Sequence, residues 1–150
     1  MTEANTDPMP TVERLLGATN AHDLDGIVAC FGEGYVLDSP LHPARSFRGR
    51  EQVRRNWTQI LAAVPDLKTR LVGFARDRST AWTEWEMVGT RRDGTLHCMR
   101  GVFIFTVADG SFVSGRMFLE PVDASASDMN EALSQVLSAP SSGGTSGQAP

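Results

Sequence analysis

Little in this chain staples, coordinates or crosses. It has two cysteines in 150 residues, and Cys30 and Cys98 stand in unrelated contexts with no second ligand pair nearby. That argues against a disulfide scaffold and a cysteine metal cage, and fits small, buried, reduced thiols in a cytoplasmic protein. Apolar runs are only a handful of residues long, against the roughly 20 a membrane helix needs, so no membrane span is expected. Basic residues are not in excess. The 14 Lys and Arg against 18 Asp and Glu leave a net charge of -4, and no basic stripe interleaves with aromatics. Nucleic acid is therefore not an expected partner. The polar first ten residues lack the basic-then-apolar order of a signal peptide. There is no Gly-rich phosphate loop and no nucleophile-elbow motif, and three scattered histidines make no metal set. No metal and no cofactor are expected.

What is present reads as one domain long enough to bury a core unaided. Residues 1–10 read as a flexible leader, 11–123 as the folded domain, 124–139 as a C-terminal helix and 140–150 as a disordered tail. Pro10-Thr11 opens a helix with Val12, Leu15 and Leu16 on one face. Asp23 caps a second helix carrying Leu24, Ile27, Val28 and Phe31 inward. Gly49-Arg50-Glu51 begins a third, with Val53, Trp57, Ile60, Leu61 and Val64 at three- and four-residue steps, and Pro65 stops it. A short strand, 35–38, precedes that helix. Four further strands follow, 67–75, 81–90, 95–107 and 112–119, and two of their separators contain Asp-Gly, a strong hairpin signal. Helices on one face of an antiparallel sheet make an α+β domain. Ser127-Asp128 caps one more helix with Met129, Leu133, Val136 and Leu137.

Strand parity sorts the side chains. Ala81, Thr83, Trp85, Met87 and Gly89 make an inward row, which sends Glu84 and Glu86 outward. His97, Met99, Gly101, Phe103, Phe105 and Val107 share the inner face of the next strand. Its outer row, with Val102 and Ile104, is also largely apolar. In the last strand Val113, Gly115, Met117 and Leu119 make one row, opposite Arg116 and Phe118. A sheet apolar on both faces is expected to be covered on both, which predicts a homodimer through the outer face. The inner rows predict a pocket for a small apolar molecule, lined by Trp57, Trp85, Met87, Phe103, Phe105, Met117 and Leu119.

Three residues are candidates for chemistry. Asp38 ends the apolar run Tyr35-Val36-Leu37 and precedes Ser39-Pro40-Leu41-His42-Pro43. A carboxylate in that position is either a turn cap or a general base sheltered from water. His42, in the loop beyond, is either an exposed loop residue or a group at the pocket mouth. His97, on the inner row near its strand's start, is either a satisfied core histidine or a proton carrier. His22, at a helix break, reads as a cap.

The set Val36-Leu37-Asp38-Ser39-Pro40, Phe47-Arg48-Gly49-Arg50-Glu51, Trp85 through Thr90, and Gly101-Val102-Phe103-Ile104-Phe105 leading to Asp109-Gly110 resembles the SnoaL-like branch of the nuclear transport factor 2-like superfamily. The resemblance spans roughly residues 11–122. It implies a cone-shaped α+β fold, with three N-terminal helices packed on a strongly curved antiparallel sheet and an open end for a small ligand. It also implies dimers through the outer sheet face. Asp38 falls where the resemblance to ketosteroid isomerase implies a general base. The tyrosine and second aspartate of that relative correspond here to Leu15 and Phe103. The last-strand aspartate of limonene epoxide hydrolase corresponds to Met117. Neither constellation is intact. Two functions remain open: a cyclase or isomerase using Asp38 alone for proton transfer, and a non-catalytic ligand-binding or dimerisation module.

Overall fold

The computed structural model describes residues 6–125 and 127–138. Four helices and a six-stranded mixed sheet form an α+β domain. Helix α1 (Met9–Asn20) starts two residues earlier than its pattern suggested. Pro8 pre-sets its first turn, and the Asp7 carboxylate accepts from the Met9 N–H at 3.1 Å. Pro8 and Met9 are buried, so the expected leader gives way to ordered structure by residue 8; residues 1–5 lie outside the described residues. Helix α2 (Leu24–Ala29) is capped as expected, Asp23 accepting from the Gly26 N–H at 3.0 Å. Helix α3 (Arg50–Ala63) follows Gly49, whose φ of +94° lets the chain turn sharply from strand to helix. Helix α4 (Met129–Ser138) leaves Met129, Leu133, Val136 and Leu137 exposed. The tail beyond it lies outside the described residues.

The strands are β1 (Phe31–Asp38), β2 (Phe47–Arg48), β3 (Lys68–Asp77), β4 (Thr80–Thr90), β5 (Leu96–Ala108) and β6 (Ser111–Pro121), in the order β2-β1-β6-β5-β4-β3. The four-strand meander matches its turn signals: Asp109 and Gly110 both take positive φ, and Asp93 accepts from the Thr95 N–H beside Gly94. One expectation needs correction. The sheet is mixed and not purely antiparallel, because β1 runs parallel to β6, with Val36 opposite Ser114. The two-residue β2 pairs with the other side of β1.

Parity holds along β4, where Ala81, Thr83, Trp85, Met87 and Gly89 are all buried. It slips in β6, where a bulge opposite Thr106 and Val107 turns Phe112 inward and leaves Val113 exposed. Gly101 has a φ of +150°, and a Cβ built there would collide with the Phe118 backbone; β5 and β6 approach at that point as only glycine allows. Cys30 is buried and Cys98 half-buried, both free.

Helix α1 is tied to the sheet at both ends. Thr11 Oγ donates to the Gly110 carbonyl at 2.9 Å. At the other end the Asn20 amide accepts from Thr69 N–H at 2.8 Å and donates to Thr69 C=O at 3.0 Å. Val12 and Leu15 then pack inward, and Phe31, Phe105 and Phe112 form a stacked and tilted aromatic core, Phe105 to Phe112 at 4.1 Å. Burying each such ring contributes about 1.5–3 kcal/mol.

Candidate functional site

The inner rows of β1, β4, β5 and β6, closed over by α1 and α3, enclose a cavity of about 200 Å³. Trp57, Trp85, Met87, Phe103, Phe105, Met117 and Leu119, the seven residues expected to form a pocket, all line it. The sequence reading missed other wall residues, among them Leu15, Tyr35, Phe47, Asn56 and Met99. Tyr35 was within reach of the parity argument, since Tyr35, Leu37 and Ser39 form one buried row of β1 and the residue beyond it.

Polar groups on this wall are few. The indole N–H of Trp85 donates to Thr83 Oγ at 2.7 Å, which donates in turn to the Phe103 carbonyl, so Trp85 offers the cavity only its ring face. Thr19 Oγ is engaged with the Leu16 carbonyl and Thr69 Oγ. Tyr35 is 2 % exposed, and burial pushes its phenol above the ordinary value. Its hydroxyl lies over Gly115, and no described residue hydrogen-bonds to it. Phe31 packs edge-on against its ring at 4.7 Å and Phe47 tilts against it at 6.2 Å, which fixes its orientation.

A second recess, of about 460 Å³, adjoins the first and shares Leu37, Phe47, Asn56 and Met117 with it. Its remaining wall is Ala44, Arg45, Ser46 and Gln52. The loop that builds it is closed by Ser39 N–H donating to Ser46 Oγ at 3.0 Å, and by a 3-10 turn over Pro43–Arg45.

None of the three candidates for chemistry lines either cavity. Asp38, which as a general base has to point into the cavity, faces the other way. Period-two alternation buries Leu37 and Ser39 and turns the carboxylate out, where it is 55 % exposed and meets Arg116 Nε at 3.4 Å. The reason is register: Asp38 lies opposite Arg116 in the parallel β1–β6 pair. His42 Nε2 contacts Glu120 Oε1 at 2.7 Å and anchors the loop. His97 is half-buried opposite Gly89, and burial, with a smaller contribution from the Arg91 cation, lowers its pKa. The three therefore do not converge. His22 takes a positive φ of 53° and its Nε2 lies 2.7 Å from the Leu67 carbonyl. Among the described residues no three or more His, Cys, Asp or Glu side chains gather as a metal site, and no helix is long and apolar enough to cross a membrane.

An apolar cavity between helices and a mixed sheet is paralleled by a family match: residues 12–115 fit the SnoaL-like domain. The chain belongs to the SnoaL-like family. Solved structures with the nuclear transport factor 2-like fold agree. A loop-truncation variant of IdmH superposes with a TM-score of 0.66 at 22 % identity, covering 76 % of this chain and 93 % of that one. Rv0760c from Mycobacterium tuberculosis, in complex with estradiol-17β-hemisuccinate, gives 0.64 at 17 % identity over 74 % and 92 %. A SnoaL-like protein of unknown function from Burkholderia thailandensis gives 0.58 at 21 % identity over 77 % and 94 %. At these identities the likeness speaks to fold. No functionally curated protein matches.

Proposed function

We propose that this SnoaL-like domain is a cone-shaped receptacle for a small apolar molecule and works as a non-catalytic ligand-binding module. The carrying observation is the cavity wall: aromatic and aliphatic apart from Thr19, Tyr35 and Asn56, with the Tyr35 hydroxyl and the Asn56 Nδ2 left unpartnered among the described residues to orient what enters. Such a wall binds by dispersion and desolvation, with the polar groups setting orientation. An apolar cavity of about 150 Å³ accepts benzene. At about 200 Å³ this one suits a ligand of one or two rings, and anything longer extends into the outer recess. The steroid ester bound by Rv0760c supports an apolar ligand for this fold. The cyclase or isomerase reading needs a carboxylate or imidazole at the cavity, and Asp38, His42 and His97 all lie off its wall.

The working form in this reading is a homodimer through the outer sheet face. Trp82 and Ile104 lie opposite one another there, as do Val102 and Phe118, and together they form an apolar strip. Glu86, held by Arg70 and Arg100, flanks it. A strip of that kind is what a second copy covers. The two free thiols fit a reducing, cytoplasmic setting.

The test is titration with a neutral apolar fluorophore such as N-phenyl-naphthylamine, read by energy transfer from Trp57 and Trp85. One-to-one binding is expected, weakened at least about tenfold by the cavity-filling Met117→Trp, with thermal melting showing the variant folded. A folded Met117→Trp protein that binds the probe as tightly as the wild type would overturn the reading. Ile60→Trp repeats the test from the helical wall.

A further inference from the structure

We propose that the outer recess holds an anionic end of the ligand, so that the bound molecule is an apolar ring system bearing a carboxylate. The proposal rests on the ligand-pocket reading and deepens it by naming the ligand's class.

The recess wall carries a cation and no carboxylate. Of the neighbouring arginines, Arg50 is engaged with Glu33 at 3.3 Å, Arg54 with Asp25 at 2.9 Å and Arg116 with Asp38 at 3.4 Å, and Arg48 does not line the recess. The Arg45 guanidinium, by contrast, meets no acidic partner among the described residues. Its backbone is fixed, since Arg45 N–H donates to the His42 carbonyl at 2.8 Å and His42 is anchored on Glu120. A fixed base with a free fork-shaped head suits bidentate capture of a carboxylate.

The polar groups beside it are donors too. Asn56, at the boundary between recess and cavity, accepts from Gln52 Nε2 at 2.8 Å through Oδ1, and its Nδ2 has no partner among the described residues. Ser46 Oγ accepts from Ser39 N–H, so its own proton is free to be donated. With a cation and two free donors against the single amide oxygen of Gln52, the wall favours an acceptor-rich group. The inner cavity sets the orientation, because an ionised group among its aromatic rings would lose hydration without a counter-charge. The rings therefore go in first and the carboxylate stays outside at Arg45. The chain's net charge of -4 gives an anion no general attraction, so Arg45 carries the discrimination.

The test compares two near-isosteres, naphthylacetate and naphthylacetamide, by calorimetric titration at neutral pH and low salt. The carboxylate is expected to bind at least about tenfold tighter than the amide, with the preference shrinking as salt is added. Arg45→Gln, an exposed loop change, should bring the two within about twofold of each other by weakening the carboxylate far more than the amide, and Arg45→Lys should keep part of the preference. Equal binding of the two compounds to the wild type, or a preference that survives Arg45→Gln, overturns the proposal while leaving the pocket intact. Failure of both compounds to bind overturns the pocket reading and this proposal with it.

Discussion

The Tyr35 phenol oxygen occupies the space that a side chain at position 115 would fill, so Gly115 is the seat of the one titratable group on the cavity wall. The two residues lie on neighbouring strands of the parallel β1–β6 pair, and the ring is hemmed in by Phe31 and Phe47. Gly115→Ala is therefore expected to tilt the ring against its aromatic neighbours and cost about 1–3 kcal/mol. A denaturant midpoint unchanged from the wild type would show that the ring has room to move. The same variant should weaken binding of the neutral fluorophore, because the displaced phenol narrows the cavity.

Asp38→Asn is expected to do little. The carboxylate is half-exposed and its partner Arg116 equally so, and such surface pairs contribute at most about 1 kcal/mol. Ligand affinity should stay within about twofold of the wild type, since the side chain does not reach the cavity. A larger loss of affinity in the titration would bring Asp38 back into the site.

Stability should depend on pH through His97. Burial lowers its folded value below the ordinary 6.5, so the folded chain keeps the ring neutral while the unfolded chain takes up a proton first. The unfolded state then binds more protons between 6.5 and the lowered folded value. Stability falls as pH drops through that window and levels off below it. His97→Gln should flatten that slope in denaturant midpoints measured from neutral to mildly acid pH. Identical slopes in the two proteins would count against it.

Assembly is open to direct measurement. Light scattering at micromolar concentration should give the mass of a dimer, and Ile104→Glu, at the centre of the outer apolar strip, should give a folded monomer. A wild-type monomer, or a dimer that tolerates the glutamate, would place the contact elsewhere or remove it.

Much of this arrangement is local and therefore legible in the chain. The Asp-Gly turns mark hairpins, period two sorts β4 into a buried and an exposed row, and three- and four-residue steps put Val53 and Trp57 on the inner face of α3. Non-local geometry was not legible. Pairing of Val36 with Ser114 leaves no trace in either segment, and β2 has only two residues. The bulge that turns Phe112 inward looks like ordinary alternation until the strands are paired. Asp38 stays open between turn cap and base when judged by its place at the end of an apolar run, whereas parity with the buried Tyr35 and Leu37 puts it on the opposite row. Arg45 belongs to an irregular loop, where no periodicity says which way a side chain turns.

The double hydrogen bond from Asn20 to Thr69 does more than dock a helix. Strand β3 is the last in the sheet, and its free edge is a template on which another chain can add. The amide presents an acceptor and a donor to one residue, as a neighbouring strand would, and so occupies the template where β3 begins. Lys68, Arg70 and Arg76 stud the same strand with charge. At the far end, β2 offers two residues, too few to seed a partner strand. Loss of that amide, for example in Asn20→Ala, bares the start of the edge, so slow fibrillar self-association is the failure this contact guards against.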